Sequence, residues 1–171
     1  MMKLLTDWGF GREGWQQGVR GEYWVLTQAL LLLGVVFLPS YRLWGFNPAA
    51  PWVYGIWGGA AMLGLAATIL LGKGLVDLGQ SLTPLPYPRD DGQLVQSGVY
   101  GVVRHPIYSG VILGILAWGL YQLSVTHVAA AIAFLLFFDA KARREEQWLS
   151  EKYGEYAAYQ QRVKKLIPWV Y

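Results

Sequence analysis

Three stretches of this 171-residue chain carry no charged residue: 23–41, 43–72 and 105–138, which are 19, 30 and 34 residues long. A helix rises about 1.5 Å per residue and the hydrocarbon core of a bilayer is about 30 Å thick, so uncharged runs of this size are what a membrane-spanning helix needs. Together they take up 83 residues, nearly half the chain, and crowd the charges into the segments between them. The composition agrees, with 54% hydrophobic residues and 15% charged, against about 25% charged in a soluble domain. A cytosolic globule, a disordered chain and a secreted disulfide scaffold are excluded, the last also by the complete lack of cysteine.

Without cysteine there is no thiolate nucleophile and no Cys-ligated metal site. The net charge of +3 would suit a nucleic-acid partner, but cationic loops beside a membrane give the same sum. The apolar runs decide between them, so membrane lipid is the expected partner and nucleic acid is not. Asp7, Arg12 and Glu13 precede any apolar run, which predicts no cleaved signal and a chain beginning at Met1. Residues 1–22, with Trp8, Phe10 and Trp15 among charges, read as a segment lying at the headgroup level.

The first run predicts a short transmembrane helix over 23–38, closed by Pro39 and flanked by Tyr23, Trp24, Tyr41 and Trp44. The second predicts a helix over 51–71, with Pro51 in its first turn and Lys73 at its exit. The third is too long for one crossing, since 34 helical residues extend about 51 Å. Its most polar patch, Ser124-Val125-Thr126-His127, lies near the middle and predicts a tight hairpin of two short helices, 107–123 and 128–139. The expected fold is therefore an all-α integral membrane protein, one domain over 1–171. Two helices in 23–72 precede a loop, the helical hairpin and a C-terminal helix in 73–168, for about four crossings.

Four crossings put 1–22, 72–106 and 139–171 on one side, with all 11 acidic residues and every Lys and Arg except Arg42. The positive-inside rule makes that side cytoplasmic, both termini and all polar chemistry included. Gly55 and Gly59, Ala60 and Gly64, and Gly110 and Gly114 are small residues at four-residue spacing. They predict close helix packing, within the bundle or between two copies, so monomer and homodimer both stand.

Chemistry-bearing residues gather in two places. The loop 73–104 contains Ser81-Leu82-Thr83-Pro84-Leu85-Pro86-Tyr87-Pro88, stiffened by its prolines, and runs into Arg104-His105-Pro106-Ile107-Tyr108-Ser109-Gly110. Pro106 marks a helix start, which holds Arg104 and His105 just outside the helix and Tyr108 on its first turn. Beyond the hairpin comes Lys141-Ala142-Arg143-Arg144-Glu145-Glu146-Gln147-Trp148-Leu149, where Lys141 and Glu145 share one face and Arg144 and Trp148 another. Singly, these residues read as a snorkelling arginine, a helix-start histidine, a belt tyrosine and a solvated ion-paired helix. Both charged elements flank one hairpin, however, so they must meet at its mouth, in a pocket wet at one end and apolar at the other.

Taken together, Leu94-Val95, Gly98-Val99-Tyr100, Arg104-His105-Pro106-x-Tyr108-x-Gly110, Glu145-Glu146-x-x-Leu149 and Tyr153-Gly154-x-Tyr156 resemble the isoprenylcysteine carboxyl methyltransferase family and its wider phospholipid methyltransferase relatives. The resemblance covers residues 81–168. It implies a membrane enzyme that uses S-adenosylmethionine, held between the loop, the hairpin and the C-terminal helix. Position by position it implies cofactor contacts at Leu94, Val95, Tyr100, His105, Pro106, Tyr108 and Glu145. It places Lys141 where the family has a substrate-contacting arginine. Lysine keeps the charge but lacks the planar fork that grips a carboxylate, which Arg144 or Arg104 would supply. Arg104, His105 and Arg144 are thus the catalytic candidates, and Lys141, Arg144 and Glu146 the substrate-binding ones.

Methyl transfer from a sulfonium is a direct displacement that requires alignment and exclusion of water rather than a metal or a covalent nucleophile. A lipidic carboxylate acceptor is already ionised and needs only a cation to orient it. An amine acceptor, as in phosphatidylethanolamine methylation, would need a proton acceptor such as His105 or Glu146. A non-catalytic membrane scaffold, or a sterol-reductase-like enzyme using a nicotinamide cofactor, are the readings from other classes.

Overall fold

The computed structural model describes residues 18–42 and 50–171; most of the expected headgroup-level segment, and Trp44, lie outside them. Among the described residues five α-helices follow in order: α1 Glu22–Val36, α2 Trp52–Leu78, α3 Pro106–Tyr121, α4 Val125–Lys152 and α5 Tyr156–Arg162. The β pairing among the described residues is an isolated parallel bridge between Val103 and Lys164.

Proline placement sets two of the starts, with Pro51 capping α2 and Pro106 at the first position of α3, where a missing amide proton costs nothing. The second helix overruns its expected end at 71 and continues to Leu78. Lys73 does not stop it because Asp77 pairs with it one turn later, at 3.0 Å. The expected short helix 128–139 is likewise only the first half of α4, which is 28 residues long and runs on into the charged segment. Nothing between Val125 and Lys152 is glycine or proline, so apolar and charged halves propagate as one rod until Tyr153 turns extended.

The hairpin turn is tighter than the polar patch suggested: Gln122, Leu123 and Ser124 make the reversal, and Val125 already belongs to α4. Leu123 takes φ 53°, and the Ser124 amide donates to the Gly119 carbonyl at 2.8 Å. Ser124 Oγ lies 2.8 Å from His127 Nδ1, so the patch serves as a helix start. The segment after α1 docks there, Arg42 Nε donating to the Gln122 carbonyl at 3.0 Å and Thr126 Oγ1 to that of Pro39 at 2.7 Å. At the same end Trp57 of α2 donates to the Tyr121 carbonyl at 3.1 Å. The first four helices therefore alternate in direction, with the loop 79–105 and the C-terminal segment gathered at the opposite end.

Small residues bring α2 and α3 together. A Cβ on Gly110 would come within 2.7 Å of Leu71 Cγ and 3.0 Å of the Ala67 carbonyl oxygen. Gly114 lies against Ala67 and Gly64 against Ala117. Gly55 and Gly59 instead face open space, so their spacing does no work inside the bundle. The outer surface is apolar, with Met62 at 75% and Leu136 at 67% exposed. Only 22% of the most apolar window of α2 and 33% of that of α4 is buried within the protein. Two helices are thus long and apolar enough to cross a membrane, and α1 and α3 are shorter apolar helices beside them.

Gly110→Ala should push α2 and α3 apart, because two of the blocking atoms are backbone and cannot turn aside. We expect a loss of about 1–3 kcal/mol, read as a lower unfolding temperature in detergent. Gly55→Ala, with nothing within 4 Å, should leave stability unchanged or raised by up to about 1 kcal/mol.

Candidate active site

The mouth of the hairpin is built on one buried ion pair. Arg104, in the turn before α3, and Glu146, in the charged half of α4, have side chains only 9% exposed. Arg104 Nε donates to Glu146 Oε1 at 2.8 Å, and Nη1 donates to the carbonyls of Gln160 and Val163, one of them at 3.2 Å. His105 Nε2 donates to the same carboxylate oxygen at 3.1 Å, and the Gln160 amide reaches the other at 3.2 Å. Glu146 is thereby filled on both oxygens. The backbone reinforces the junction, since the Arg104 and His105 amides donate to the Lys164 and Lys165 carbonyls at 2.8 and 3.1 Å.

From this junction a stack of rings runs along the α3–α4 seam. His105 lies parallel to Tyr108, centroids 5.2 Å apart, and Tyr108 stacks on Phe138 at 4.5 Å. The Tyr108 hydroxyl donates to Glu145 Oε2 at 2.6 Å, while Oε1 has no partner among the described residues. Lys141 sits over the Tyr108 ring at 5.0 Å and donates to Gln28 Oε1 on α1 at 2.6 Å.

The loop closes the other wall. Ser81 Oγ donates to the Gln93 carbonyl at 3.1 Å and accepts from the Gln93 amide at 3.0 Å, which ties off the proline-rich stretch. Gly98 takes φ +60° where Asp77 accepts the Val99 amide at 3.0 Å, and a Cβ there would meet the carboxylate at 2.0 Å. Tyr159 donates to the Tyr100 carbonyl at 2.6 Å and Tyr153 to that of Gly92 at 2.7 Å, fastening the loop to the C-terminal segment. Burial pushes the phenols of Tyr100, Tyr156 and Tyr159 well above their ordinary range, so they remain neutral at any physiological pH.

Between these walls is a cavity of about 350 Å³, a size that suits a small-molecule ligand. Leu94, Val95, Tyr100, Arg104, His105, Pro106, Tyr108, Lys141 and Glu145 all line it. Two candidates are not brought there. Arg144 lies on the outer face of α4, with its guanidinium 4.3 Å from the Trp148 ring and donating to Gln147. Glu146 stands behind the cavity wall, committed to Arg104 and His105. The shared face of Lys141 and Glu145 also makes no ion pair, because Gln28 takes the ammonium and Tyr108 the carboxylate.

Sequence reasoning missed Gln28, Tyr153, Tyr156 and Tyr159 as cavity-lining residues. Gln28 had a readable signal, as an amide inside an uncharged run that spans a bilayer. Tyr153 and Tyr156 had only their place in the C-terminal motif, and Tyr159 had no signal.

A family model describing phospholipid methyltransferases matches residues 54–156. The cobalt-zinc-cadmium resistance protein CzcN of Cupriavidus metallidurans is 35% identical over 66% of this chain and 53% of its own length. Protein-S-isoprenylcysteine O-methyltransferase B of Arabidopsis thaliana is 34% identical over 60% of this chain and 54% of its own. The chain thus spans about half the length of these relatives. Among solved structures, the eukaryotic intramembrane Ras methyltransferase ICMT (isoprenylcysteine carboxyl methyltransferase) shares the fold. It superposes with a TM-score of 0.63 at 20% identity, covering 90% of this chain and 54% of that one.

The two adjacent carboxylates should respond differently to neutralisation. Glu146→Gln strips a buried guanidinium of its counter-charge, a change that typically costs about 3–5 kcal/mol, and should lower the unfolding temperature markedly. Glu145→Gln alters one tyrosine hydrogen bond and a 3.8 Å approach of His105 Nδ1, and should unfold close to the unmodified protein. Equal losses from both would contradict this division.

Proposed function

The chain belongs to the phospholipid methyltransferase family, and on that premise we propose that it transfers a methyl group from S-adenosylmethionine to a carboxylate carried by a membrane lipid. The observation that carries the reading is Glu145, which lines the cavity with one oxygen held by Tyr108 and the other open. An open carboxylate oxygen among neutral phenols and aliphatic side chains fits a cofactor that joins an ammonium to a heteroaromatic ring. Bound there, S-adenosylmethionine supplies an electrophilic methyl on a sulfonium and leaves as a neutral thioether.

The chain's own residues then have four tasks. Glu145 holds the cofactor's ammonium, with Tyr108 fixing the carboxylate's rotation. Leu94, Val95, Tyr100 and Pro106 enclose the cofactor and exclude water, which matters because opposite charges are lost together as the methyl moves. His105 borders the cavity as a ring locked between Tyr108 and Glu146. Arg104 and Glu146 act behind it as positioning residues, and Arg144 is left on the surface. The acceptor side falls to Lys141, where the bundle turns from polar to apolar. An amine acceptor would need a proton acceptor, and with both oxygens of Glu146 taken that task would fall to His105, whose Nε2 is itself engaged by Glu146.

The four helices, by this reading, all cross the bilayer, and the loop 79–105 and the C-terminal segment face the cytoplasm. The shorter α1 and α3 would be matched by local thinning around the bundle. The lipid acceptor reaches the cavity from the bilayer between α1 and α4.

Calorimetry with S-adenosylhomocysteine should give saturable binding, and NADPH should give none. Heat from NADPH alone would favour a reductase, and heat from neither a scaffold. Glu145→Gln should weaken S-adenosylhomocysteine about 5- to 150-fold, the effect of removing one polar partner in a closed site. Glu155→Gln, on an exposed residue outside the cavity, should leave affinity unchanged. Single cysteines in this cysteine-free chain test sidedness: Arg42→Cys should react with an impermeant thiol reagent on intact cells and Ser150→Cys should not. Labelling at position 150 would overturn the topology.

A further inference from the structure

Lys141 is 1% exposed, and it is a buried cation left without an acid among the described residues. Arg104 and His105 share Glu146 at 2.8 and 3.1 Å, and Lys165 pairs with Asp139 at 2.8 Å. No carboxylate among the described residues comes within 4.0 Å of the Lys141 ammonium. Its neighbours are the amide oxygen of Gln28 at 2.6 Å and the face of Tyr108 at 5.0 Å. Both satisfy it in part, and neither carries a full negative charge. Glu145, one turn on along the same face, is engaged elsewhere by Tyr108. A positive charge shut away from water with neutral partners is a costly arrangement, and it lies on the cavity wall beside its partner Gln28.

We propose that Gln28 and Lys141 together form the seat for an anionic acceptor head, Gln28 being a neutral placeholder that yields its hydrogen bond to the incoming anion. This rests on the methyltransferase reading above. Gln28 is half-buried on α1, whose outward residues are apolar and which meets α4 through side chains such as Trp24 against Phe137, centroids 5.6 Å apart. A lipid tail lying along this seam brings its head group to Gln28. A glutamate there would neutralise Lys141 in advance, whereas an amide satisfies a donor and leaves the charge for the substrate. In the transfer, a carboxylate oxygen forms the new bond to the methyl carbon while the carbon–sulfur bond breaks with its electron pair onto sulfur. The ester product is neutral, so its hold on Lys141 weakens and Gln28 re-forms its bond as the product departs.

The test sets two substitutions against each other. Gln28→Glu strengthens the tie between α1 and α4 but cancels the charge, and Gln28→Leu cuts the tie and keeps the charge. The proposal expects Gln28→Glu to raise KM for a prenylcysteine analogue by about 10-fold or more, the loss of a charge-assisted contact, with S-adenosylhomocysteine affinity unchanged. Gln28→Leu, which loses a lining amide but keeps the charge, should raise that KM clearly less than Gln28→Glu does. A purely structural tie predicts the reverse order, and that order would overturn the proposal. Lys141→Met should reproduce the Gln28→Glu defect even if the latter folds poorly, and unchanged KM in Lys141→Met would also refute it. Should the unmodified protein bind S-adenosylhomocysteine but methylate only phosphatidylethanolamine, this inference fails while the methyltransferase reading stands. Failure to bind S-adenosylhomocysteine would remove both.

Discussion

The ion pair between Arg104 and Glu146 joins three parts of the chain that are far apart in sequence. One guanidinium reaches a carboxylate on α4, two carbonyls of the C-terminal segment and, through that carboxylate, the ring of His105. Two buried charges gain little net stability from each other once desolvation is counted, but their separation would leave each stranded. The pair therefore acts as a registration device, since the loop, α3, α4 and the last helix can close only in the arrangement that satisfies it. The cavity is a consequence of that closure.

The second organising element is the continuity of α4. Its first half is apolar and its second half charged, with Lys141 and Glu145 one turn apart where the character changes. A single rod fixes the spacing between a residue facing the membrane seam and one facing the loop. In the proposed reaction this spacing sets acceptor against donor, and rigidity matters because displacement needs reacting atoms aligned within a few tenths of an ångström. Asp139 secures the changeover, receiving Lys165 at 2.8 Å and Arg143 at 2.7 Å.

Electrostatics divide the buried groups into two kinds. Glu146, Asp139 and Arg104 are matched by opposite charges, with the His105 ring hydrogen-bonded to Glu146, and hold the structure together. Lys141 and Glu145 make their close hydrogen bonds to neutral partners and face the cavity, with His105 Nδ1 standing 3.8 Å from Glu145. Pairing thus separates scaffold from site more sharply than burial does, since both kinds are well shielded from water. The two adjacent glutamates are the clearest case: successive positions on a helix point about 100° apart, so one looks at the arginine and the other into the cavity.

Although the fusion of the hairpin's second arm with the charged helix could not be read from the sequence alone, the all-helical character, the apolar surfaces, the hairpin and the crowding of charge at one end could. These depend on hydropathy, chain length and proline, which act locally and leave a linear trace. Leu94, Val95, Tyr100, His105, Pro106, Tyr108, Lys141 and Glu145 are singled out through the resemblance of their motifs to a family, and all of them line the cavity. Other features belong to the tertiary structure alone. Lys73 would end a span taken by itself, yet Asp77 and the Val99 amide carry the helix on. Glu146 and Arg144 look as available as Glu145, until Arg104 claims one and the rotation of α4 turns the other outward. Gln28 gains its meaning only when α1 packs against α4, 113 positions away, and sets an amide against a lysine. Composition cannot reveal which of two neighbouring charges will be neutralised, because that depends on distances of a few ångströms created only by folding.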